Sequence, residues 1–158
     1  MKSPITYQAE LRTPFGVVGI HCEDEKLIDI VFLAPDSAEQ ASQDKFVREV
    51  CAQLDAYFKD SDFQFDLPLR LAGTEHQRKV WQAMCNIPRG VTRSYGELAA
   101  ELKSAAQAVG QACGANPIPI IIPCHRVVGK TGLGGFMHHN AGYALDIKRW
   151  LLVHEGVI

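Results

Sequence analysis

The sequence predicts a mixed α/β protein of the α+β kind, built as two lobes that span residues 1–72 and 73–158. Short β-branched runs and one long amphipathic pattern occupy the first part of the chain, whereas helical spacing of apolar residues dominates the second. The length of 158 residues is enough for one ordinary domain or for two small lobes. We therefore expect a sheet-plus-helix N-terminal lobe and a mostly helical C-terminal lobe.

Composition excludes several broad classes of protein. Hydrophobic residues make up 47% of the chain and charged residues 22%, which is typical of a globular protein. A net charge of -2 argues against a protein that wraps nucleic acid with a basic surface all round. The five cysteines are odd in number and lack paired spacing, so we expect free thiols and a cytoplasmic location. No apolar leader or membrane-length apolar run is present, so neither export nor membrane anchoring is expected.

The N-terminal lobe begins with a predicted hairpin. The runs "FGVVGI" at 15–20 and "LIDIVFL" at 27–33 are separated by the acidic turn "CEDEK". Apolar residues recur at helical spacing over 37–58, which predicts an amphipathic helix, and "FQFDLPLRL" at 63–71 predicts a further strand. No constellation of reactive side chains occurs in this lobe, so we interpret it as scaffold.

The C-terminal lobe begins with a helix over "EHQRKVWQAMCNI", which the following "PRG" ends. Two capping-box patterns, Ser94 to Glu97 and Ser104 to Gln107, then predict the starts of two short consecutive helices. The second of these is so rich in alanine and glycine that another backbone could approach it closely. The pattern fits a DNA-binding helix-turn-helix and equally fits an ordinary helical hairpin.

The remaining chain holds an apolar segment, a loop and a last helix. "NPIPIIIPCHRVVG" at 116–129 contains three prolines, which predict an irregular extended segment rather than a central strand. The glycine-rich stretch after it lacks periodicity, and its adjacent His138 and His139 have no further spaced ligands, so we expect no metal there. Residues 143–156 predict a helix with Gly156 at its C-cap. Its inward positions are expected to be Leu145, Trp150, Leu151 and Leu152.

Cys124 differs from the other four cysteines because a potential base, His125, and a permanent cation, Arg126, follow it directly. Both neighbours could favour the thiolate. An acid must hold the other ring nitrogen of the histidine, and Glu155 is the first candidate, with Asp146 as its competitor. A cysteine, histidine and acid fit two classes of protein. One is a hydrolase with a covalent intermediate, and the other is a transfer protein that keeps the group it accepts.

The second lobe resembles one known family. "IPCHRVVG" at 122–129, preceded by "NP" at 116–117 and followed by "KRWLLVHEG" at 148–156, resembles the O6-alkylguanine-DNA alkyltransferases, or methylated-DNA–protein-cysteine methyltransferases. The resemblance extends back through "VWQAMCNIPRGVTRSYGELA" at 80–99 and so covers the whole lobe. The hairpin-helix-strand order of the first lobe is compatible with the ribonuclease H-like lobe of that family.

The resemblance implies a suicide DNA-repair protein that works without a cofactor. It would bind alkylated double-stranded DNA as a monomer through the minor groove and flip out the damaged base. Cys124 would then take the alkyl group irreversibly from O6-alkylguanine, and also from O4-alkylthymine. His125 would draw the thiol proton through a water molecule, and Glu155 would orient and stabilise that imidazole.

The same resemblance implies supporting roles for other residues. Tyr95 would donate a hydrogen bond to a ring nitrogen of the flipped guanine, Asn116 would pin the turn before the cysteine segment, and Arg126 would form an ion pair beneath the site. Backbone carbonyls near Cys124 and Val127 would bind the exocyclic amine. The substrate pocket would include Ile122, Pro123, Val127, Phe136 and Met137. The DNA-binding face would include Ser94, Ala105, Ala106, Gln107, Gly110 and Gln111.

Two positions depart from the family pattern. Gln107 stands where the family usually has an arginine that fills the gap left by the flipped base, and it could instead fold back onto the capping box of Ser104. The segment 134–148 is several residues longer than the usual turn, which leaves the accepted alkyl size open.

The alternative function is a lesion-binding alkyltransferase-like protein with weak or no transfer, although such relatives lack the cysteine. A cysteine hydrolase would need a glycine-rich oxyanion segment, which we do not find.

Overall fold

A three-stranded antiparallel sheet and one helix form the first of two units in the computed structural model, which describes residues 7–138 and 142–158. The units are Met1–Leu71 and Ala72–Ile158. The sheet has the strand order β1-β2-β3, so β2 is central, and most of its residues are buried. The elements of this unit are β1 Ala9–Thr13, β2 Gly16–Glu23, β3 Lys26–Phe32 and α1 Lys45–Lys59.

The predicted hairpin is confirmed and is formed by β2 and β3. Its two turn residues, Asp24 and Glu25, both have positive φ, at 51° and 57°. Two consecutive left-handed residues give the turn whose twist matches that of paired strands. Gly19 in β2 is required by packing, since a Cβ there would lie 2.7 Å from the ring of Tyr7.

The predicted start of the first helix at residue 37 is wrong, because α1 begins only at Lys45. Asp44 caps the helix, its Oδ1 accepting a hydrogen bond from the backbone N of Val47 at 3.0 Å. Ahead of the cap, Gln40 exchanges two backbone hydrogen bonds with Glu10 of β1, which holds that segment extended. Gln40 therefore pairs with the sheet edge and does not join the helix.

The strand predicted over 63–71 is also wrong. Its only bridge to the sheet among the described residues joins Leu69 to Leu27. Pro68 has no N–H to donate, although its carbonyl accepts from Leu27 at 2.9 Å. The Gln53 side chain instead satisfies both backbone groups of Asp66, at 3.1 and 2.9 Å.

The second unit is mostly helical, as the sequence predicts. Two-residue parallel strands tie the start of α3 to the segment that carries Cys124. Within the described residues, no helix is both long enough and apolar enough to cross a membrane. The elements are α2 Glu75–Cys85, β4 Arg93–Ser94, α3 Tyr95–Leu102, α4 Ala106–Gly114, a 3-10 turn Cys124–Arg126, β5 Val127–Val128 and α5 Tyr143–His154.

Of the two predicted capping boxes, only the first is formed. Ser94 Oγ accepts from the backbone N of Glu97 at 3.1 Å, and the Glu97 carboxylate accepts from the Ser94 backbone N at 3.1 Å. The second box is wrong, because Ala105 is the N-cap of α4 and no side chain caps that helix. Ser104 Oγ instead hydrogen-bonds to His76 Nε2 of α2 at 2.8 Å. Gln107 is therefore free of the capping role that the pattern suggested.

The inward face of α5 differs from the prediction. Leu145 and Trp150 are only half-buried, whereas the face that packs inward begins at Ile147. The last residue of the helix is His154 and its C-cap is Glu155, so the predicted C-cap at Gly156 is wrong by one residue. Gly156 follows the cap with φ of +80°. The buried residues of α5 are Ile147, Lys148, Leu151 and Leu152.

Candidate active site

Cys124 begins a short 3-10 turn within the apolar segment. Ile122 donates to the Ile118 carbonyl at 2.9 Å, and Arg126 donates to the Pro123 carbonyl at 3.0 Å. In a 3-10 turn successive side chains are about 120° apart, whereas on a strand they point to opposite faces. The segment is therefore kinked at Cys124 and is not extended throughout, as the sequence predicted.

Asn116 ties the two ends of this segment together. Its Nδ2 donates to the Ile122 carbonyl at 2.8 Å, and its Oδ1 accepts from the Ile118 backbone N at 2.9 Å. The side chain is buried, so both hydrogen bonds are shielded from water. The side-chain amide of Asn116 therefore fixes the backbone just before Cys124.

Three charged or ionisable groups meet behind the cysteine. His125 Nε2 lies 2.9 Å from Glu155 Oε2, and both side chains are fully buried. Arg126 donates to both oxygens of the same carboxylate at 2.9 Å and to the Ile87 carbonyl at 2.6 Å. The competing acid, Asp146, is exposed and lies 3.8 Å from Arg149. The structure thus brings His125 to Glu155, with Arg126 in a supporting ion pair.

Burial lowers the pKa of His125, and the hydrogen bond and charge of Glu155 oppose that shift. The imidazole is therefore neutral at neutral pH. Because a carboxylate faces Nε2, that nitrogen carries the proton and Nδ1 is the acceptor. His125 Nδ1 is the one buried side-chain nitrogen or oxygen in the described residues that has no hydrogen-bond partner.

The pKa of Cys124 is raised to about 11 by burial, while a hydrogen bond from Asn116 and the charge of Lys148 act in the opposite direction. Only 4% of the residue is exposed. The sulfur is therefore a protonated thiol at neutral pH. It needs a base before it can act as a nucleophile.

Lys148, on α5, is a buried cation that the sequence analysis did not identify. Its Nζ donates to the carbonyls of Val127 at 2.8 Å, Leu133 at 2.5 Å and Gly135 at 2.8 Å. Burial lowers its pKa to about 8, and the nearby Cys124 and Cys113 thiols oppose that shift. This one ammonium joins β5 to the loop after it.

Tyr95 is the first residue of α3 and follows β4 directly. Its Oη donates to the Gly135 carbonyl at 3.3 Å, and Lys148 Nζ lies 5.9 Å from its ring centroid. Burial raises its pKa to about 12. The phenol therefore remains protonated, and so remains a hydrogen-bond donor, throughout the neutral range.

A cavity of about 260 Å³ opens above Cys124. Drug-sized ligands occupy sites of roughly 300–1,000 Å³, so this volume suits a single flat ring system. Residues of α3, α4, the 3-10 turn and the following loop surround it. The lining residues are Tyr95, Gln107, Gly110, Gln111, Cys113, Gly114, Cys124, Gly135, Phe136, Met137 and His138.

Two family models match this chain. The model described as "6-O-methylguanine DNA methyltransferase, ribonuclease-like domain" covers residues 6–71, and the one described as "6-O-methylguanine DNA methyltransferase, DNA binding domain" covers residues 75–157. The chain belongs to the 6-O-methylguanine DNA methyltransferase family. The resemblance inferred from the cysteine motif is thereby confirmed.

Full-length relatives agree with this membership. A probable methylated-DNA–protein-cysteine methyltransferase of Acanthamoeba polyphaga mimivirus is 41% identical, over 92% of this chain and 93% of the relative. The methylated-DNA–protein-cysteine methyltransferase of Methanosarcina mazei is 39% identical, over 94% and 96%. The crystal structure of Mycobacterium tuberculosis OGT in complex with DNA has a TM-score of 0.76 and 39% identity, over 92% of this chain and 90% of that one. Both units therefore follow the family fold.

Seven of the residues named from the family resemblance line the cavity of this methyltransferase-family chain, and the others do not. Ser94 caps α3, Ala105 and Ala106 are exposed at the start of α4, and Ile122 and Pro123 are buried outside the lining. Val127 also lies outside it, and its carbonyl, which we expected to bind the base, accepts from Lys148. The seven lining residues are Tyr95, Gln107, Gly110, Gln111, Cys124, Phe136 and Met137.

Sequence reasoning missed four of the lining residues and Lys148. The lysine could have been found, because it lies three and four residues before the buried Leu151 and Leu152 and so shares their helical face. Cys113 could have been found in the same way, because it follows the buried Ala112 on the inward side of α4. For residues of the irregular loop, no periodicity indicates which side faces the cavity. The other missed lining residues are Gly114, Gly135 and His138, and His139 lies outside the described residues.

Proposed function

We propose that this protein repairs DNA by direct reversal, moving the alkyl group of O6-alkylguanine, and of O4-alkylthymine, irreversibly onto Cys124. The observation that carries this proposal is a cavity-lining thiol followed directly by a buried histidine, whose Nδ1 has no hydrogen-bond partner and whose Nε2 lies 2.9 Å from a buried carboxylate. Relatives named methylated-DNA–protein-cysteine methyltransferases, which align over more than nine-tenths of the chain, support the same reaction.

The nucleophile is generated inside the cavity. The proton of the Cys124 thiol passes through a bridging water to His125 Nδ1, the acceptor nitrogen without a partner. Glu155 stabilises the resulting imidazolium, since its carboxylate is 2.9 Å from Nε2. Lys148 adds a positive charge that favours the thiolate.

Transfer then breaks one bond and forms one bond. The sulfur lone pair forms a bond to the alkyl carbon, the bond from that carbon to O6 breaks, and its electrons pass into the guanine ring. Tyr95 donates its hydroxyl proton towards a ring nitrogen as negative charge develops there. The product on Cys124 is a thioether, which is a poor leaving group, so each molecule acts once and needs no cofactor.

DNA binds through the face that carries α4. The exposed face of this helix begins with the small residues Ala105 and Ala106, which lets it enter the minor groove closely, and the damaged base is flipped into the cavity. The crystal structure of M. tuberculosis OGT in complex with DNA supports a DNA complex of the same fold. We further propose a monomer that acts in the cytoplasm, where all five cysteines remain free.

Intact-protein mass spectrometry after incubation with an oligonucleotide that carries O6-methylguanine tests this proposal. We expect one methyl group per molecule, with no further turnover, and peptide mapping should place it on Cys124 and not on Cys113, the other thiol of the cavity. Cys124→Ser should abolish transfer and leave DNA binding intact. Cys85→Ser, which changes an exposed thiol, is the matched control and should transfer normally. Multiple turnovers, or a methyl group on a residue other than Cys124, would contradict the proposal.

The alternative of a lesion binder without transfer is not favoured. The thiol, its base and the carboxylate are all present, and a protein that only binds lesions has no need of them. In the same mass-spectrometry experiment a lesion binder would retain the oligonucleotide while Cys124 stayed unmodified.

A further inference from the structure

His138 closes one side of the cavity. It follows Phe136 and Met137 in the loop after the 3-10 turn and lines the cavity together with α4. Met137 and His138 have φ values of 51° and 65°, a left-handed conformation that side chains other than glycine and asparagine rarely adopt. These two residues turn the loop towards the helix, so the histidine ring reaches α4.

The place where the ring meets α4 is Gly114. A Cβ built on Gly114 would lie 2.4 to 2.9 Å from three ring atoms of His138, and these are its three nearest neighbours. No side chain could occupy residue 114 while the ring stays in place. The imidazole therefore lies directly against Gly114 of the helix, and it lines the same cavity as Gln107 and Gln111.

We propose that His138 is a specificity-determining residue, which limits the size of the O6 substituent that the cavity accepts. The ring can hold this position only because residue 114 is a glycine and has no side chain. The ring fills the gap between the loop and α4, where a larger substituent would otherwise extend. The cavity of about 260 Å³ is small, so the loss of one imidazole from its wall enlarges it by a large fraction. This inference rests on the proposed transfer to Cys124.

The test compares two probes, O6-methylguanine and O6-benzylguanine, as free bases, so that DNA binding does not limit either rate. Second-order rate constants are measured by intact mass for wild type, His138→Gly, Gly114→Ala and the double variant. Glycine suits the positive φ at residue 138, so the loop can keep its path. We expect His138→Gly to raise the ratio of benzyl to methyl rate constants at least fivefold.

Gly114→Ala tests the contact itself. In the wild-type background it should change the ratio of benzyl to methyl rate constants, because the His138 ring must move. When His138 is already glycine, it should change that ratio less than twofold. Affinity for unmodified duplex DNA, measured by fluorescence anisotropy, should stay within twofold in His138→Gly. An unchanged ratio in His138→Gly overturns the inference, as does a loss of DNA affinity at constant ratio, which would make His138 a DNA contact. Failure of the proposed function looks different, since wild type itself would then gain no methyl group on Cys124.

Discussion

At the scale of the residue, Cys124 combines two opposing requirements. An apolar wall that excludes water favours the binding of a flat base and strengthens each hydrogen bond to that base. The same burial raises the pKa of the Cys124 thiol to about 11. In the mechanism we propose, the neutral His125, held by Glu155, supplies the base that a buried thiol needs. The apolar residues around the cysteine are therefore compatible with reactivity only because a buried carboxylate lies 2.9 Å from the imidazole.

Replacing Lys148 by methionine should weaken both folding and transfer. The change leaves the carbonyls of Val127, Leu133 and Gly135 without their shared donor, which costs about 2–3 kcal/mol. It also removes the charge that favours the Cys124 thiolate, so we expect transfer to slow at least tenfold, or about 1.4 kcal/mol. Urea unfolding and single-turnover rates measure the two effects.

The matched control is Arg149→Met, which removes an exposed cation from the next position of α5. An exposed, loose ion pair contributes little to stability. The free energy of unfolding of Arg149→Met should therefore stay within about 0.5 kcal/mol of wild type, and its transfer rate should not change. Equal behaviour of the two variants would show that the buried ammonium has no special role.

At the scale of the element, α4 is a helix without a charged residue and without a side-chain cap. Trp81 Nε1 donates to the Ala112 carbonyl at 2.8 Å, which fixes this helix to α2. The turn before α4 uses Lys103 in the left-handed conformation, with φ of 54°. The helix is therefore positioned by its neighbours and not by its own terminus. Its exposed face, which we propose contacts DNA, has side-chain amides that can form hydrogen bonds but no cation.

Gln107→Arg should tighten duplex binding. An arginine at this exposed position adds one cation to the proposed DNA face, and one such ion pair contributes up to about 1 kcal/mol, or roughly fivefold in affinity. The slope of log affinity against log salt should steepen by about 0.9 if a phosphate is contacted. Fluorescence anisotropy at several salt concentrations measures both quantities.

Gln82→Arg adds the same charge to an exposed glutamine of α2 and serves as the control. It should leave the salt slope unchanged. If the two variants raise affinity equally, the gain comes from net charge, and α4 has no special place in DNA binding.

At the scale of the whole molecule, the buried thiols make the fold sensitive to alkaline pH. Burial raises the pKa of Cys22 and Cys51 to about 11 and that of Cys113 to about 12. Between pH 9 and pH 11 the unfolded chain loses these protons and the folded chain keeps them. The unfolded state then binds fewer protons, so the free energy of unfolding falls as pH rises through this window.

Removing one thiol should make that fall less steep. Cys22→Ala eliminates one titrating group, so the slope between pH 9 and pH 11 should be smaller by up to about 1.4 kcal/mol per pH unit. Urea unfolding at several pH values measures the slope. Cys22→Ser, which does not titrate in this range, should give the same slope as Cys22→Ala even if its stability at pH 7 differs. If both variants show the same dependence of the free energy of unfolding on pH as wild type, the pKa of Cys22 is not raised in the folded protein.

Much of this molecule follows from local patterns in its sequence. Short apolar runs on either side of an acidic turn predict the β2–β3 hairpin, helical spacing predicts α2 and α5, and the Ser94 box predicts the start of α3. Each of these patterns depends on residues only a few positions apart. The motif around Cys124, with the distant Glu155, is specific enough to identify the family. Strand β1 also shows alternating burial, but it is short and we did not identify it.

Tertiary structure decided the features that depend on partners far along the chain. Gln40 pairs with Glu10 instead of extending α1, and Ser104 bonds to His76 instead of capping α4. Lys148 becomes part of the site only because three carbonyls from β5 and its loop converge on it, and His138 reaches Gly114 only through two left-handed residues. A local pattern states which hydrogen bonds and packing contacts a residue can make nearby. Competition from distant groups decides which of them form.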